Sequence, residues 1–479
     1  MLGADLRDLL DALRPLDELR QIDGADWDLE LGAITELMAL RDGPALLFDQ
    51  VKGYPAGYRV LSNLINSPRR VALLMGLGRE VGGVALVSAI KERFRQIERL
   101  PPVTVARAPW QAERRRGPEL DLLTLPAPKW HEHDGGRYLG TAVAVVTRDR
   151  ETGWVNVGTY RVQLHDARTL GLFVEPTHHA ALIRQQYWAR GEACPFAVCI
   201  GVPTALLLAS FLGVPWGVSE YEWAGGLVGQ PLEVVAGEVT GLPLPASAEI
   251  VIEGYSPPPS EESRREGPFG ETTGYYATGA SDRPVIRAEL LQHRPDPILV
   301  SAPPLRPPAS SSASYLFRAA NIWSEIDRLG LPDVRGVWQM PAGSSYFLTV
   351  VAVKQRYAGH AKQVAQAAMA GRAGGGNMGR FVIVVDDDID PADEQQVLWA
   401  LATRCDVERG IDVIRDCTSG YLDPIIPPEE RAAGRHTAAR AIINACKPFG
   451  WLDQFPPDVG TSPSLRAQVL QAWPDLFAT

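Results

Sequence analysis

Two loop-rich segments divide this chain into three regions, and that division limits the folds it can form. Residues 106–136 are charged and interrupted by prolines, and Ala302 to Ser314 reads APPLRPPASSSAS, which indicates either a mobile flap or a domain boundary. A chain of 479 residues is also too long for a single hydrophobic core. We therefore predict three domains, with the ranges 1–110, 111–315 and 316–479.

The three regions differ in their predicted secondary structure. Helical and strand-like stretches are mixed before residue 110, which predicts an α/β unit. The middle region is rich in strands, including one continuous strand predicted from Val155 to Leu164. In the last region strands alternate with helices, and Pro463 to Phe477 is predicted to be one amphipathic helix that docks on another subunit. The predicted fold class is α+β or α/β, with several domains.

The charge and the cysteines exclude several classes of protein. A formal net charge of -10 argues against a nucleic-acid binder or a membrane-surface protein, since both need a basic face. The five cysteines form no CxxC pair, which is typical of reduced thiols in a cytosol. The first residues lack the apolar stretch of a signal peptide, and no apolar run reaches the ~18 residues of a membrane span. We expect a soluble, cytoplasmic protein.

The segment Glu266-Gly-Pro-Phe-Gly-Glu271 has the residues for proton chemistry. Its glycines and proline fix a tight backbone, so both carboxylates can converge on one pocket. Two close carboxylates raise the pKa of one of them and prepare it as a general acid, whereas a nearby arginine lowers the pKa of the other. An acidic surface turn is the alternative that this segment alone leaves open.

The segment Asn156-Val-Gly-Thr-Tyr-Arg161 places an amide, a hydroxyl and a guanidinium close together. Side chains alternate along a strand, so Asn156 and Arg161 would point to opposite faces unless a bulge intervenes. Imidazoles and carboxylates follow at His178, His179, Glu220 and Glu222. One amide, one imidazole and one carboxylate would suit Mn²⁺ or Mg²⁺. An ordinary surface strand is the alternative.

Two other polar motifs are assigned no site. His131-Glu-His133 is predicted to lie in a surface loop, with a site-lining role as the alternative. The acids from Asp386 to Asp390 are predicted to cap a helix and to form a solvated loop, with metal binding as the alternative.

Together, these segments resemble the UbiD family of reversible decarboxylases, which use prenylated FMN. The matching pieces occur in the family's order and at approximately its spacing along most of the chain. They are Gly43–Phe48, Val51–Tyr54, Asn156–Arg161, Pro176–His178, Ser219–Tyr221, Pro245–Ile250, Glu253–Tyr255, Glu266–Glu271 and Val384–Asp390.

The resemblance implies roles for individual residues. The catalytic residues would be Arg161, Glu266 and Glu271, with Glu266 as the partner of Arg161 and Glu271 as the proton donor. The metal ligands would be Asn156, His178 and Glu220, with His179 and Glu222 as the less favoured alternatives. The cofactor contacts would be Thr159, Tyr160, Arg161, Leu172, Phe173, Val174, Thr177, His178, Ser210 and Phe211.

The family also implies two further binding features. Carbonyl groups near Ala209, Ser210 and Leu212 would bind a monovalent ion such as K⁺. A basic residue later in the chain would contact the cofactor phosphate, and Arg380 and Arg440 are both candidates.

The resemblance implies a fold, partners and a reaction. The fold would be an N-terminal α/β unit, a central split β-barrel of the flavin-reductase type and a C-terminal α/β domain, in a homodimer or a larger homo-oligomer. A flavin prenyltransferase would supply the cofactor. The reaction would be the reversible, non-oxidative decarboxylation of an aromatic, heteroaromatic or α,β-unsaturated acid, with release of CO₂, a covalent bond between substrate and cofactor, and protonation by a glutamate.

Two other functions remain open from the sequence. One is a hydroxybenzoate decarboxylase of the ubiquinone-pathway type. The other is a flavin-binding, reductase-like protein without decarboxylase activity, although mere binding of a flavin would not need the Glu-Arg-Glu trio.

Overall fold

A computed structural model of the chain describes residues 2–375 and 378–477. The N-terminal part forms a small α/β unit. Its helices are α1 (Leu6–Leu13), α2 (Glu30–Ala39), α3 (Pro68–Leu74) and α4 (Gly83–Arg95), and its strands are β1 (Leu19–Asp23), β2 (Ala45–Asp49) and β3 (Arg59–Ser62).

The middle part is dominated by strands. They are β4 (Val103–Thr104), β5 (Glu113–Arg116), β6 (Arg137–Gly140), β7 (Val143–Arg148), β8 (Val155–Gly158), β9 (Arg161–Leu164), β10 (Thr169–Phe173), β11 (Cys194–Ile200), β12 (Glu233–Ala236), β13 (Pro243–Pro245), β14 (Ile250–Ser256), β15 (Ser263–Glu266), β16 (Ser281–His293) and β17 (Ile298–Val300). The helices among them are α5 (His179–Trp188), α6 (Thr204–Leu212) and α7 (Glu220–Val228).

The C-terminal part alternates helices with strands. Its strands are β18 (Val334–Gln339), β19 (Leu348–Val353), β20 (Phe381–Asp386), β21 (Ile411–Thr418) and β22 (Thr437–Asn444). Its helices are α8 (Ser314–Arg328), α9 (His360–Ala370), α10 (Arg372–Gly375), α11 (Glu394–Arg404), α12 (Val407–Gly410), α13 (Pro428–Ala432), α14 (Pro463–Ala472) and α15 (Pro474–Phe477).

The central sheet curls because of one short connection. Its strands follow the order β6-β9-β10-β16-β14-β11-β7-β8, with β5 and β15 also paired to β16. Strands β8 and β9 lie near opposite ends of this order, yet only Thr159 and Tyr160 separate them in the chain. The three Cα–Cα steps from Gly158 to Arg161 span at most about 11 Å, so the two ends of the sheet must come together. The prediction of one continuous strand from Val155 to Leu164 was therefore wrong.

Two flanking sheets complete the fold. The N-terminal sheet has the order β1-β2-β3-β17, so the chain returns at Ile298 and pairs β17 with β3 in parallel. The C-terminal sheet has the order β18-β19-β20-β22-β21, with β19, β20 and β22 parallel. Helices α8 and α9 pack against this sheet. This mixed architecture with a curled central sheet confirms the predicted fold class.

The C-terminal segment extends from the domain with its apolar side chains in solvent. The single helix predicted from Pro463 to Phe477 is interrupted at Trp473, where the backbone leaves the helical conformation. Trp473 is 62% exposed, and Leu470 and Leu476 are also exposed. In the described ranges, no helix has both the length and the apolar character that crossing a membrane requires.

Candidate active site

Three of the residues singled out in the sequence form one ion-pair cluster. Arg161 begins β9, Glu266 ends β15, and Glu271 follows after the Gly-Pro-Phe-Gly turn. The guanidinium donates through Nε and Nη2 to the two oxygens of Glu266, over 2.8 Å and 2.7 Å. Its Nη1 donates to Oε1 of Glu271 over 2.7 Å. One buried arginine therefore binds both carboxylates, and the convergence expected from the turn is observed.

Aromatic rings fix the plane of the Arg161 guanidinium. Phe173 stands opposite Arg161 in the pairing of β9 with β10, and its ring centroid lies 4.2 Å from the guanidinium carbon. Phe269, within the turn, lies 5.1 Å from the same carbon. Both contacts are within the range of cation–π interactions. With the ion pairs, they leave the guanidinium little freedom to rotate.

The pKa values of Arg161 and Glu271 are both raised, but for different physical reasons. Burial disfavours the charged form of Arg161, but Glu271 and Glu266 outweigh it, so the pKa of Arg161 is raised. Burial raises the pKa of Glu271 to about 7, although Arg161 acts in the opposite direction. Burial therefore favours the neutral form of Glu271, which is the form that a proton donor requires.

The sequence did not single out two residues that contact the turn. Tyr138 donates its hydroxyl to Oε1 of Glu266 over 3.3 Å, across a separation of 128 residues. Gln163 accepts the Gly267 N–H over 3.1 Å, across 104 residues. No local pattern in the sequence could have indicated contacts between residues this far apart.

The predicted metal ligands lie only partly together. Asn156 donates its Nδ2 to Glu220 over 2.8 Å, and the Val157 N–H donates to the other Glu220 oxygen over 3.0 Å. Tyr160 donates to Asn156 over 3.3 Å, and its ring lies 6.1 Å from the His178 ring. Burial raises the pKa of Glu220 to about 7. Among the residues that the structure describes, no three His, Cys, Asp or Glu side chains converge as a metal site.

The predicted cofactor contacts lie around the break between β8 and β9. Thr159 bonds Ser210 twice, hydroxyl to hydroxyl over 2.6 Å and through its N–H to the Ser210 carbonyl over 3.1 Å. Leu172, Phe173 and Val174 are buried at the end of β10, whereas Thr177 is exposed.

Two cavities meet at the Glu271 turn. The first is lined by Thr159, Phe211, Thr272 and neighbouring residues, and no charged side chain is among them in the described chain. The second is lined by Glu271 itself and by Arg306. Pro304 and Leu305 line both cavities and so form the partition between them.

The second cavity includes a segment that was predicted to be surface loop. His131, Glu132 and His133 line it, and His131 Nε2 lies 2.7 Å from the carbonyl oxygen of Pro304 in the partition. Glu132 and His133 are exposed, as the predicted surface loop requires, and the segment also borders this cavity. In the other acidic motif, Arg404 donates to Asp386 and Asp388, and Lys447 donates to Asp388 through its ammonium group and to Asp386 through its backbone N–H. The predicted helix cap was wrong, because α11 is capped by Asp393, which follows the motif.

The basic residues of the C-terminal part differ in their surroundings. Arg380 donates to both carboxylate oxygens of Asp423, over 2.7 Å and 2.6 Å. Arg440 is buried and donates to the carbonyls of Thr418 and Met369. Arg372, which the sequence did not single out, is exposed and donates to the Gly213 carbonyl over 3.1 Å, just after α6.

Comparison with known families identifies all three parts of the chain. Residues 10–90, 102–307 and 314–445 match the N-terminal, Rift-related and C-terminal domains of 3-octaprenyl-4-hydroxybenzoate carboxy-lyase, which is the UbiD family. A curated relative, pyrrole-2-carboxylic acid decarboxylase of Pseudomonas aeruginosa, is 31% identical over 98% of each chain.

Solved structures agree with this match. The UbiD-class enzyme HmfF from Pelotomaculum thermopropionicum, in complex with FMN, superposes with a TM-score of 0.84 at 29% identity, over 96% of this chain and 98% of that chain. An evolved dimeric form of the same enzyme, in complex with prFMN, gives a TM-score of 0.81 at 28% identity, with the same coverage.

Proposed function

The chain belongs to the UbiD family, and from this premise we propose that it is a reversible, non-oxidative decarboxylase of an aromatic or heteroaromatic acid, with prenylated FMN as its cofactor. The observation that carries the proposal is the ion-pair cluster in which Arg161 binds both Glu266 and Glu271. Binding of a flavin alone would not need a buried pair of acids whose surroundings differ.

The residues of the cluster have different roles in the proposed reaction. Arg161 binds the substrate carboxylate, because a planar guanidinium matches a planar anion. Glu266 and the Phe173 ring keep the guanidinium in that orientation. After CO₂ leaves, Glu271 donates a proton to the carbon that carried it, and a pKa raised to about 7 by burial suits this step.

The residues of the first cavity fit a flavin. Its lining combines the hydroxyl groups of Thr159 and Thr272 with the apolar side chains of Leu207 and Phe211. This combination suits a flavin, which has a flat ring system with polar atoms along one edge. When bound, prenylated FMN supplies the electron sink that decarboxylation requires.

The substrate is proposed to be a monoacid. A second carboxylate would need a cation beside it. Arg306 is the one arginine or lysine on the described lining of the second cavity, which Glu271 borders, and Glu36 and Glu132 on the same lining disfavour a further negative charge. The guanidinium of Arg318 lies against the Tyr346 ring, at 4.5 Å from its centroid. The hydroxyls of Ser310, Ser311 and Ser312 suit a small heteroaromatic acid with a ring N–H or oxygen.

The cofactor phosphate is proposed to bind through a metal ion. Asn156, His178 and Glu220 offer oxygen and imidazole ligands, which suit Mn²⁺ or Mg²⁺. The C-terminal carbonyls of α6, near Ser210 and Leu212, form the negative end of a helix and suit K⁺. Arg372 is added to Arg380 and Arg440 as a candidate phosphate contact, since it lies at the end of α6 and Arg380 is paired with Asp423.

The remaining proposals concern the oligomeric state, the cellular compartment, the supply of the cofactor and the division into domains. The exposed apolar side chains of α14 and α15 support a homodimer in which this segment packs on the other subunit. The five cysteines are all unpaired, which supports a reducing, cytoplasmic compartment. A flavin prenyltransferase is the proposed supplier of the cofactor. The division into domains 1–110, 111–315 and 316–479 remains a prediction.

A single experiment tests the proposed function. The protein is purified anaerobically after co-expression with a flavin prenyltransferase, and its absorbance spectrum is recorded. It is then incubated with pyrrole-2-carboxylate, furan-2-carboxylate, furan-2,5-dicarboxylate, cinnamate and 4-hydroxybenzoate, and CO₂ release is measured. The expected result is release from a heteroaromatic monoacid, together with exchange of solvent deuterium into the product.

The controls separate the possible failures. Protein from cells without the prenyltransferase should lack the activity. Preference for the dicarboxylate would contradict the monoacid proposal, and preference for 4-hydroxybenzoate would support the hydroxybenzoate alternative. A cofactor-loaded protein that neither releases CO₂ nor exchanges deuterium with any of these acids would refute the decarboxylase proposal.

A further inference from the structure

We infer that Asp134 is a positioning residue that fixes the loop carrying Glu271. Asp134 lies in the connection before β6 and is 5% exposed. One of its oxygens accepts the Gly270 N–H over 3.2 Å and the Tyr276 hydroxyl over 3.1 Å. The other accepts the His131 N–H over 3.0 Å. A single buried carboxylate therefore binds the residue before Glu271 and a residue shortly after it.

The loop between these two contacts has its own internal bonds. The Glu271 N–H donates to the Tyr275 carbonyl over 3.0 Å, and the Gly274 N–H donates to the Glu271 carbonyl over 2.9 Å. These bonds give the loop a shape, and Arg161 and Ser344 contact its Glu271 side chain and its Thr273 carbonyl, but the two ends of the loop, at Gly270 and Tyr276, need a separate attachment. The bonds of Asp134 to Gly270 and Tyr276 supply that attachment, since Asp134 belongs to a different part of the chain.

The backbone beside Asp134 also packs tightly against the turn. The Gly135 N–H donates to the Pro268 carbonyl over 2.7 Å. A Cβ added at Gly135 would lie 1.9 Å from the Gly267 carbonyl oxygen, so only glycine allows this approach. The connection around Asp134 and Gly135 therefore contacts the turn at Gly267, Pro268 and Gly270.

The geometry explains why the attachment matters for proton transfer. Glu271 must remain bound to Arg161 and also reach the substrate carbon, and a misplacement of about 1 Å can cost about 100-fold in rate. Burial raises the pKa of Asp134, and its bonds from Gly270, His131 and Tyr276 favour the ionised form. Removing the carboxylate leaves the Gly270 and His131 N–H groups without an acceptor, and the ends of the loop lose this attachment while the bond from Arg161 to Glu271 remains.

The test compares Asp134→Ala, Asp134→Asn and Tyr276→Phe with the wild type. This inference rests on the proposed decarboxylation, so two independent readouts are used. The first is hydrogen–deuterium exchange of the peptide containing Gly270 and Glu271, which needs no substrate. The second is kcat and KM with the best acid, with bound cofactor checked by its absorbance spectrum.

The three variants are expected to lose kcat to different extents. In Asp134→Ala the Gly270 amide exchanges faster and kcat falls about 100-fold, while KM and the cofactor spectrum are unchanged. Asp134→Asn keeps one acceptor oxygen, so its kcat lies between those of Asp134→Ala and the wild type. Tyr276→Phe removes one of the three bonds and gives the smallest loss. If Asp134→Ala does not fold, the other two variants decide.

Matched controls and contrary outcomes are available in the same chain. Asp121 accepts the Leu123 N–H over 2.9 Å and lines neither cavity, so Asp121→Asn should leave both readouts unchanged. Tyr255→Phe removes a hydroxyl that bonds the Val239 carbonyl and serves as the control for Tyr276→Phe. Wild-type exchange at Gly270, or wild-type kcat, in the Asp134 variants would overturn the inference. A wild-type protein without activity would refute the proposed function, while the exchange at Gly270 would still decide whether Asp134 fixes the loop.

Discussion

Arg161 and Phe173 face each other across β9 and β10, with the guanidinium 4.2 Å from the centroid of the ring. Replacing Phe173 with leucine removes this contact and keeps an apolar side chain. Such a contact contributes about 0.5–2 kcal/mol, so we expect kcat/KM to fall by about tenfold. The measurement is steady-state kinetics with the preferred acid. Phe449→Leu, at an exposed position, is the control, and an equal loss in both variants would contradict the orienting role of Phe173.

Replacing Glu271 with glutamine should abolish turnover without releasing the cofactor. Glutamine has a similar shape but cannot donate an acidic proton, and general acids contribute about 100-fold or more to a rate. The measurement is CO₂ release together with the absorbance of bound cofactor. Glu261→Gln, on the surface beside Arg287, is the matched control. A Glu271→Gln protein with full activity would remove Glu271 from the mechanism.

The rate of decarboxylation should fall as the pH rises above about 7. The charged groups that act on Glu271 are Arg161, Glu266 and Glu175, but burial dominates and raises its pKa to about 7. The neutral form is the proton donor, so activity is present below this pKa and is lost as the pH rises through it. The measurement is kcat as a function of pH. A kcat that stays constant from pH 6 to 9 would contradict proton donation by Glu271.

Metal retention should depend on Glu220 and not on Glu222. Glu220 is buried and bonded to Asn156, whereas Glu222 is only half-buried. Glu220→Gln keeps the shape but removes one anionic ligand, so we expect the purified protein to lose most of its Mn²⁺. The measurement is the metal content of the purified protein by mass spectrometry. Equal losses in Glu220→Gln and Glu222→Gln would refute this choice of ligand.

Ending the chain at Pro457 should convert the proposed dimer into a monomer. The truncation removes α14 and α15, whose apolar side chains are exposed in the single chain. The measurement is light scattering coupled to size-exclusion chromatography. Leu329→Glu is the control, because Leu329 is an exposed apolar residue outside the segment. A truncated protein that keeps the mass of a dimer would place the interface elsewhere.

The sequence predicted the turn of Glu266 and Glu271 because its glycines and proline determine the local backbone. It also predicted the fold class, because strand and helix patterns are local. It could not predict that β8 and β9 are separate strands, since Thr159 and Tyr160 are themselves good strand residues. The bonds of Tyr138, Gln163 and Asp134 to the turn join residues more than 100 positions apart, and only the tertiary fold brings them together.

The short connection between β8 and β9 couples the position of the proposed metal site to that of the ion-pair cluster. Asn156 precedes it and Arg161 follows it, so the chain itself sets the spacing between the proposed metal ligand and the guanidinium. One inserted residue here would turn every later side chain of β9 to the opposite face. The cavity-lining segment from Ala302 to Ser314 is bonded to distant residues such as His131 and Thr141, but it does not connect the proposed metal ligand to the guanidinium. We therefore expect that the substrate range can be changed by altering the segment from Ala302 to Ser314. We expect the connection between β8 and β9 to tolerate neither insertion nor deletion.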